Sequence, residues 1–161
     1  MADLAFGDFA VKSPAVGADR LLLTSEETLT MTVVTAYLET VMGQPVTWTP
    51  TVTGFSVAPT ITARYIKIGK QCTIWVTMTG SSTSDATTFT ITNLPFAASA
   101  THQQFGIITV VVDAGATSTS PGRVFTTTSS TTLTLNKDIS GAAWTASSTK
   151  RASFSFTYET T

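Results

Sequence analysis

Polar and apolar positions between Ala63 and Pro95 alternate in short runs, each bounded by turn-forming residues. Ala63–Ile68 reads as a strand, and Gly69-Lys70 as a tight turn. In Gln71–Thr79 the residues Cys72, Ile74, Val76 and Met78 share one face. Thr73, Trp75, Thr77 and Thr79 share the other, which is the period of two of a half-buried strand. Gly80–Ala86 is a polar loop, and Thr87–Thr92 a third strand closed by Asn93-Leu94-Pro95. The pattern continues downstream. Gly106–Asp113 (GIITVVVD) is strongly apolar and predicts a central strand. Arg123–Thr128 and Thr131–Leu135 predict a hairpin around Ser129-Ser130. Ala152–Glu159 alternates most cleanly, with Phe154, Phe156 and Tyr158 inward and Ser153, Ser155 and Thr157 outward. Upstream, Val46–Gly54 contains Pro50 and predicts an edge strand, with Trp48 and Phe55 anchoring it to the core. The sum is about eight strands at sandwich spacing. The expected fold is mainly β: residues 44–161 form an antiparallel eight-stranded β-sandwich or jelly-roll-like domain.

Residues 1–43 follow a different pattern. Arg20–Thr24 and Thr28–Met31 flank Ser25-Glu26-Glu27 as a small hairpin. Thr32–Met42 places Val34, Tyr37, Leu38 and Val41 at helical spacing, with Gly43 as terminator and Pro45 barring continuation. A short helix beside two strands buries little alone. Leu4, Phe6 and Phe9 are poorly placed in a free tail. Together with Val33, Val34, Tyr37 and Val41 they are the candidate assembly contacts for docking or trimerisation. Packing of the hairpin and helix against the β-domain is the standing alternative.

Composition narrows the functional classes. Charged residues make up 12% of the chain, about half the ordinary share. Threonine is roughly a fifth of the residues, far above average usage, and suits exposed strand faces because it is β-branched yet polar. The net charge is −1 with no run of like charge, so no nucleic-acid partner is expected. No stretch is long and apolar enough for membrane insertion. The first residues lack a basic segment followed by an apolar one, so synthesis and folding in the cytoplasm are expected. Cys72 is the only cysteine and belongs to the inward set, hence a packed core thiol.

Candidate chemistry is sparse. His102 is the only histidine, with no nucleophile turn to serve, so no catalytic residue is assigned. One histidine and one core cysteine cannot build a zinc site, and Asp85, Asp113 and Asp138 read as turn residues rather than calcium ligands. No metal and no cofactor are expected. The remaining signals are aromatic. Trp75 falls opposite the core set and marks a subunit contact or a covered face. Trp144, in the loop before the last strand, is either a ligand contact or a plug beneath its loop.

Two segments carry a family resemblance. Arg64–Pro95 reads R-Y-x-x-x-G-x-x-x-x-I-W-V-x-x-x-G, then a Ser/Thr loop and T-x-x-N-L-P. It resembles the C-terminal β-sandwich modules of tailed-bacteriophage surface proteins: fibre tips, head fibres and decoration proteins. Ala18–Leu38 (A-D-R-L-L-L, then T-L-T-M-T-V-V-T-A-Y-L) resembles the N-terminal hairpin-helix segment of many such proteins. The resemblance implies a homotrimer, located on the virion surface and bound to the major capsid protein or another virion protein. The absence of a long shaft between Gln44 and Pro59 favours a compact capsid decoration or cement protein. Two alternatives are a receptor-binding knob of a short tail or head fibre contacting host surface glycans, and a free jelly-roll lectin or carbohydrate-active domain.

Overall fold

The computed structural model describes residues 43–161, so the expected arm, hairpin and helix of residues 1–42 lie outside the described residues. The described chain is mainly β, without a helix, and its ladders are antiparallel. The strands are β1 (Val46–Trp48), β2 (Thr51–Thr53), β3 (Phe55–Val57), β4 (Thr60–Ile68), β5 (Gln71–Thr79), β6 (Thr83–Ser84) and β7 (Thr90–Thr92). They continue with β8 (Gln104–Ile108), β9 (Val110–Asp113), β10 (Ala116–Thr117), β11 (Gly122–Thr126), β12 (Leu133–Asn136) and β13 (Arg151–Glu159). A six-stranded sheet runs β1-β4-β5-β13-β9-β10, and a five-stranded sheet runs β2-β7-β12-β11-β8. β3 and β6 form a small ribbon with a register shift.

The three longest strands centre the larger sheet, and their patterns are those of the sequence. Cys72, Ile74, Val76 and Met78 of β5 are buried, as are Ala152, Phe154, Phe156 and Tyr158 of β13. Ile91, Ile108, Val124, Leu133 and Leu135 come from the smaller sheet into the same apolar cluster. Each fully buried side chain of this size contributes about 1.5–3 kcal/mol. On the outward side, threonines pair across strands: Thr73 with Thr157 at 2.8 Å and Thr53 with Thr90 at 2.6 Å. The β4–β5 hairpin turns on Gly69 at φ 58°, the positive-φ glycine a two-residue loop requires. Asn93, also at positive φ, accepts the Trp48 indole N–H on its carbonyl and donates its amide to Thr51. That links the N-L-P turn to the start of the domain.

Two expected strands divide. Val46–Gly54 is not one edge strand but two, broken at Thr49-Pro50: β1 edges one sheet and β2 edges the other. Gly106–Asp113 is not one central strand. It splits at Thr109, whose N–H and hydroxyl both donate to the carbonyl of Ser153, at 3.1 and 2.9 Å. β8 ends the smaller sheet while β9 pairs with β13 in the larger one. The hairpin around Ser129-Ser130 forms as expected between β11 and β12.

Trp144 is buried, with its indole N–H donating to the carbonyl of Leu135 at 2.8 Å. Its ring meets Phe89 edge-on at 5.2 Å, and Phe89 meets Phe55 the same way at 5.0 Å. Its position beneath the loop is the one the plug reading describes.

Candidate interaction surfaces

Beta sheets leave unpaired backbone at their edges, and soluble proteins blunt those edges with short strands and prolines. Three of the four main edges here follow that rule. β1 and β2 have three residues each, with Pro45 and Pro50 before them, and β10 has two residues. β8 is the exception, with five residues and one ladder partner, β11. Its alternation also runs against the usual sense. Gly106 and Ile108 point inward, while Phe105 and Ile107 point outward with 58% and 56% of their surface exposed. Gly106 is inward because the Phe156 ring occupies its side-chain space: a β-carbon there would stand 2.5 Å from Phe156 Cδ2.

The ladder extends this apolar surface onto β11. Phe105 lies opposite Phe125, and Ile107 opposite Arg123. The two phenyl rings are 5.8 Å apart. The Arg123 guanidinium sits 5.3 Å from the Phe125 ring and 6.0 Å from the Phe105 ring, and donates to Asn136 Oδ1 at 3.0 and 3.3 Å. Aromatic side chains and arginine are the residue types enriched at the centres of protein interfaces. Sequence reasoning missed this group because it began the strand at Gly106, two residues late, and assigned Phe105 to no element. The signal was Phe105 and Ile107 two residues apart.

Trp75 stands on the outer face of the other sheet, 41% exposed between Arg64 and Ser155, where Ile68 and Val110 are exposed as well. Leu4, Phe6, Phe9, Val33, Val34, Tyr37 and Val41 lie outside the described residues.

Polar groups gather at two depressions. A cleft of about 290 Å³ is lined by Val111, Asp113, Thr117, Ser118, Lys137 and Asp138. Asp113 Oδ2 accepts from Lys137 Nζ at 3.2 Å and from the Thr145 hydroxyl at 2.9 Å, and its Oδ1 accepts from Thr145 N–H at 3.0 Å. Burial alone would raise its pKa, but these bonds outweigh burial and hold it below the ordinary carboxylate value. Asp138 accepts from Ser140 and Ala142 of its own loop, which also lowers it. Both carboxylates therefore brace loops. Among the described residues no three His, Cys, Asp or Glu side chains converge as metal ligands. A shallower groove of about 450 Å³ lies between Ile68, Lys70, Gln104 and Glu159.

His102 stands beside that groove. Its Nδ1 is 2.9 Å from the Thr101 hydroxyl, and its Nε2 is 3.8 Å from Glu159. A hydroxyl, an imidazole and a carboxylate thus stand in a row. The last gap is longer than a hydrogen bond and both its side chains are about half exposed, so the ring is not oriented as nucleophilic catalysis needs.

Lys150 is the buried charge that sequence reasoning missed. Its Nζ donates to the carbonyls of Ala86 at 2.9 Å and Thr88 at 3.2 Å, with the Phe55 ring at 4.8 Å and the Phe89 ring at 5.4 Å. Desolvation lowers its basicity, opposed by the charges of Asp113 and Asp85. Ser82 bonds its backbone, so Lys150 ties the start of β13 to the Gly80–Phe89 segment. Its role here is structural.

Searched against family models, the chain matches none, and no curated protein matches it.

Proposed function

We propose that the protein is a non-enzymatic structural protein of a tailed-bacteriophage particle, a homotrimeric capsid decoration or cement protein. In this reading the two sheets are the layers of a β-sandwich that projects from the virion surface. Residues 1–43 attach it to the major capsid protein or a neighbouring virion protein. The Phe105–Ile107–Arg123–Phe125 surface joins copies to one another. Multivalent attachment then multiplies weak individual contacts into stable cementing. The observation that carries the proposal is the five-residue β8 edge with Phe105 and Ile107 side by side on its outward face, both more than half exposed. It supports assembly as the function. The resemblance of Arg64–Pro95 to phage surface modules supplies the particle.

The polar cleft around Asp113, Thr117, Ser118 and Lys137 favours a second reading, a receptor-binding knob whose loops contact host surface glycans. Light scattering on the full chain, together with a glycan array, separates the two. A trimer without glycan binding is the expected result. A chain that stays monomeric at high concentration and binds glycans would replace the first reading with the second.

A further inference from the structure

The two sides of the β8 surface are built from different strands. Beyond Thr109 the chain of β8 continues as β9. Along one side of this run lie β11 and β10, and along the other lies β13, which pairs with β9 from Arg151 to Ser153. Each flank holds one charge. On the β11 flank, Arg123 stands opposite Ile107. On the β13 flank, Glu159 is held at the Phe105 end. There the Gln104 side-chain amide accepts from the Glu159 N–H and donates to its carbonyl, the latter at 3.0 Å. Arg123 and Glu159 therefore stand on opposite sides of Phe105 and Ile107, offset by roughly 10 Å along the strand.

The Arg123 guanidinium is fixed in place. Asn136 binds its Nε and Nη2, and the Phe125 and Phe105 rings lie beneath it. The loop backbone at Gly141 backs it so closely that a β-carbon there would come within 2.6 Å of Nη2. A guanidinium held this way needs little further ordering to receive a carboxylate, which its fork of N–H donors suits. Among the described residues none supplies one: the ion pairs are Lys137–Asp113 and His102–Glu159. The described residues carry four acidic side chains, Asp85, Asp113, Asp138 and Glu159. Asp113 is bonded to Lys137 and Thr145, and Asp138 to Ser140 and Ala142. Asp85 belongs to the opposite end of β13, where its charge acts on Lys150. Glu159 borders the β8 surface with its carboxylate open, 45% exposed and 3.8 Å from the His102 ring.

We infer that the contact between copies pairs Arg123 of one copy with Glu159 of the next. This rests on the reading proposed above, in which the β8 surface joins the copies of a trimer. A closed trimer is a head-to-tail ring, so each contact joins two unlike surfaces. The β8 surface has unlike sides, a cationic β11 flank and an anionic β13 flank. Setting the first against the second brings the charges together and covers Phe105 and Ile107 between them. Two like flanks would repel one another, so the pair fixes which way round the copies dock.

The test is charge reversal in the full chain, read by sedimentation equilibrium: Arg123→Glu, Glu159→Arg and the two together. Each single reversal should raise the concentration needed for association by roughly tenfold or more, and the double reversal should recover most of that loss. Single reversals that associate like the wild type, while Phe105→Ser with Ile107→Ser dissociates, would overturn the pairing and leave the assembly reading standing. Weakened single variants that the double reversal fails to rescue would also overturn it, because residues that do not meet cannot compensate one another. Thermal unfolding checks that each variant folds. Should Arg123→Glu unfold the chain, Glu159→Arg decides alone from its exposed site, and wild-type association there would overturn the pairing. A wild-type chain that stays monomeric at high concentration would overturn both the pairing and the reading it rests on.

Discussion

β8 and β13 lie against one another yet dispose of their large side chains in opposite ways. β13 sends Phe154, Phe156 and Tyr158 inward and Ser153, Ser155 and Thr157 outward. β8 sends a glycine inward and Phe105 and Ile107 outward. The two are complementary at one point: the Phe156 ring fills the volume that Gly106 leaves vacant. β13 is therefore shaped by the core, whereas the outward half of β8 contributes nothing to it. The contact between copies proposed above would use this exposed apolar surface.

The sharpest way to break this contrast is to exchange the roles of the two strands. Phe156→Ala should cost about 3–5 kcal/mol in chemical denaturation, because it empties the core beside Gly106. A loss under 1 kcal/mol would mean the ring is not packed as described. Gly106→Val attacks the same junction from the β8 side. Its new atoms have no room against Phe156 and Val124, and about 1–3 kcal/mol should be lost. Pairing it with Phe156→Leu should recover part of that, read as a non-additive double-mutant cycle.

Asp113 gives a smaller effect with a defined sign. Its folded pKa lies below the ordinary value, so the folded state favours its charged form. The stability it contributes is complete above that ordinary value and is lost as pH falls through the folded one. Asp113→Asn should flatten the acid limb of a melting-temperature profile and leave its slope near neutrality unchanged. An acid limb identical to that of the wild type would remove Asp113 from the account. Smallest of all is the stability effect of Phe105→Ser with Ile107→Ser. Both sites are exposed, so the double variant should unfold within about 0.5 kcal/mol per site of the wild type.

Strands whose alternation agrees with their burial were legible in the sequence. β5, β13 and the β11–β12 hairpin fall where the period of two places them, because side-chain burial alone sets their register. Gly106–Asp113 misled for a tertiary reason. A strongly apolar run implies a strand covered on both faces, but here the chain changes sheets at Thr109, drawn by its two bonds to Ser153. No local pattern encodes a partner so distant in sequence. Lys150 was hidden in the same way: the carbonyls that accept from it belong to Ala86 and Thr88, on another loop. Trp144 was legible only as two alternatives, because its partners Leu135 and Phe89 are brought to it by the fold rather than by its own loop. The β8 surface needed topology, since an edge position cannot be read from a strand's own residues.

The central claim is that the outward side of β8 joins copies of this chain. Sedimentation equilibrium on the full chain, with and without Phe105→Ser and Ile107→Ser, tests it most directly. The account predicts a trimer that falls to a monomer in the double variant, with its unfolding transition retained. A double variant that keeps the wild-type mass would contradict it.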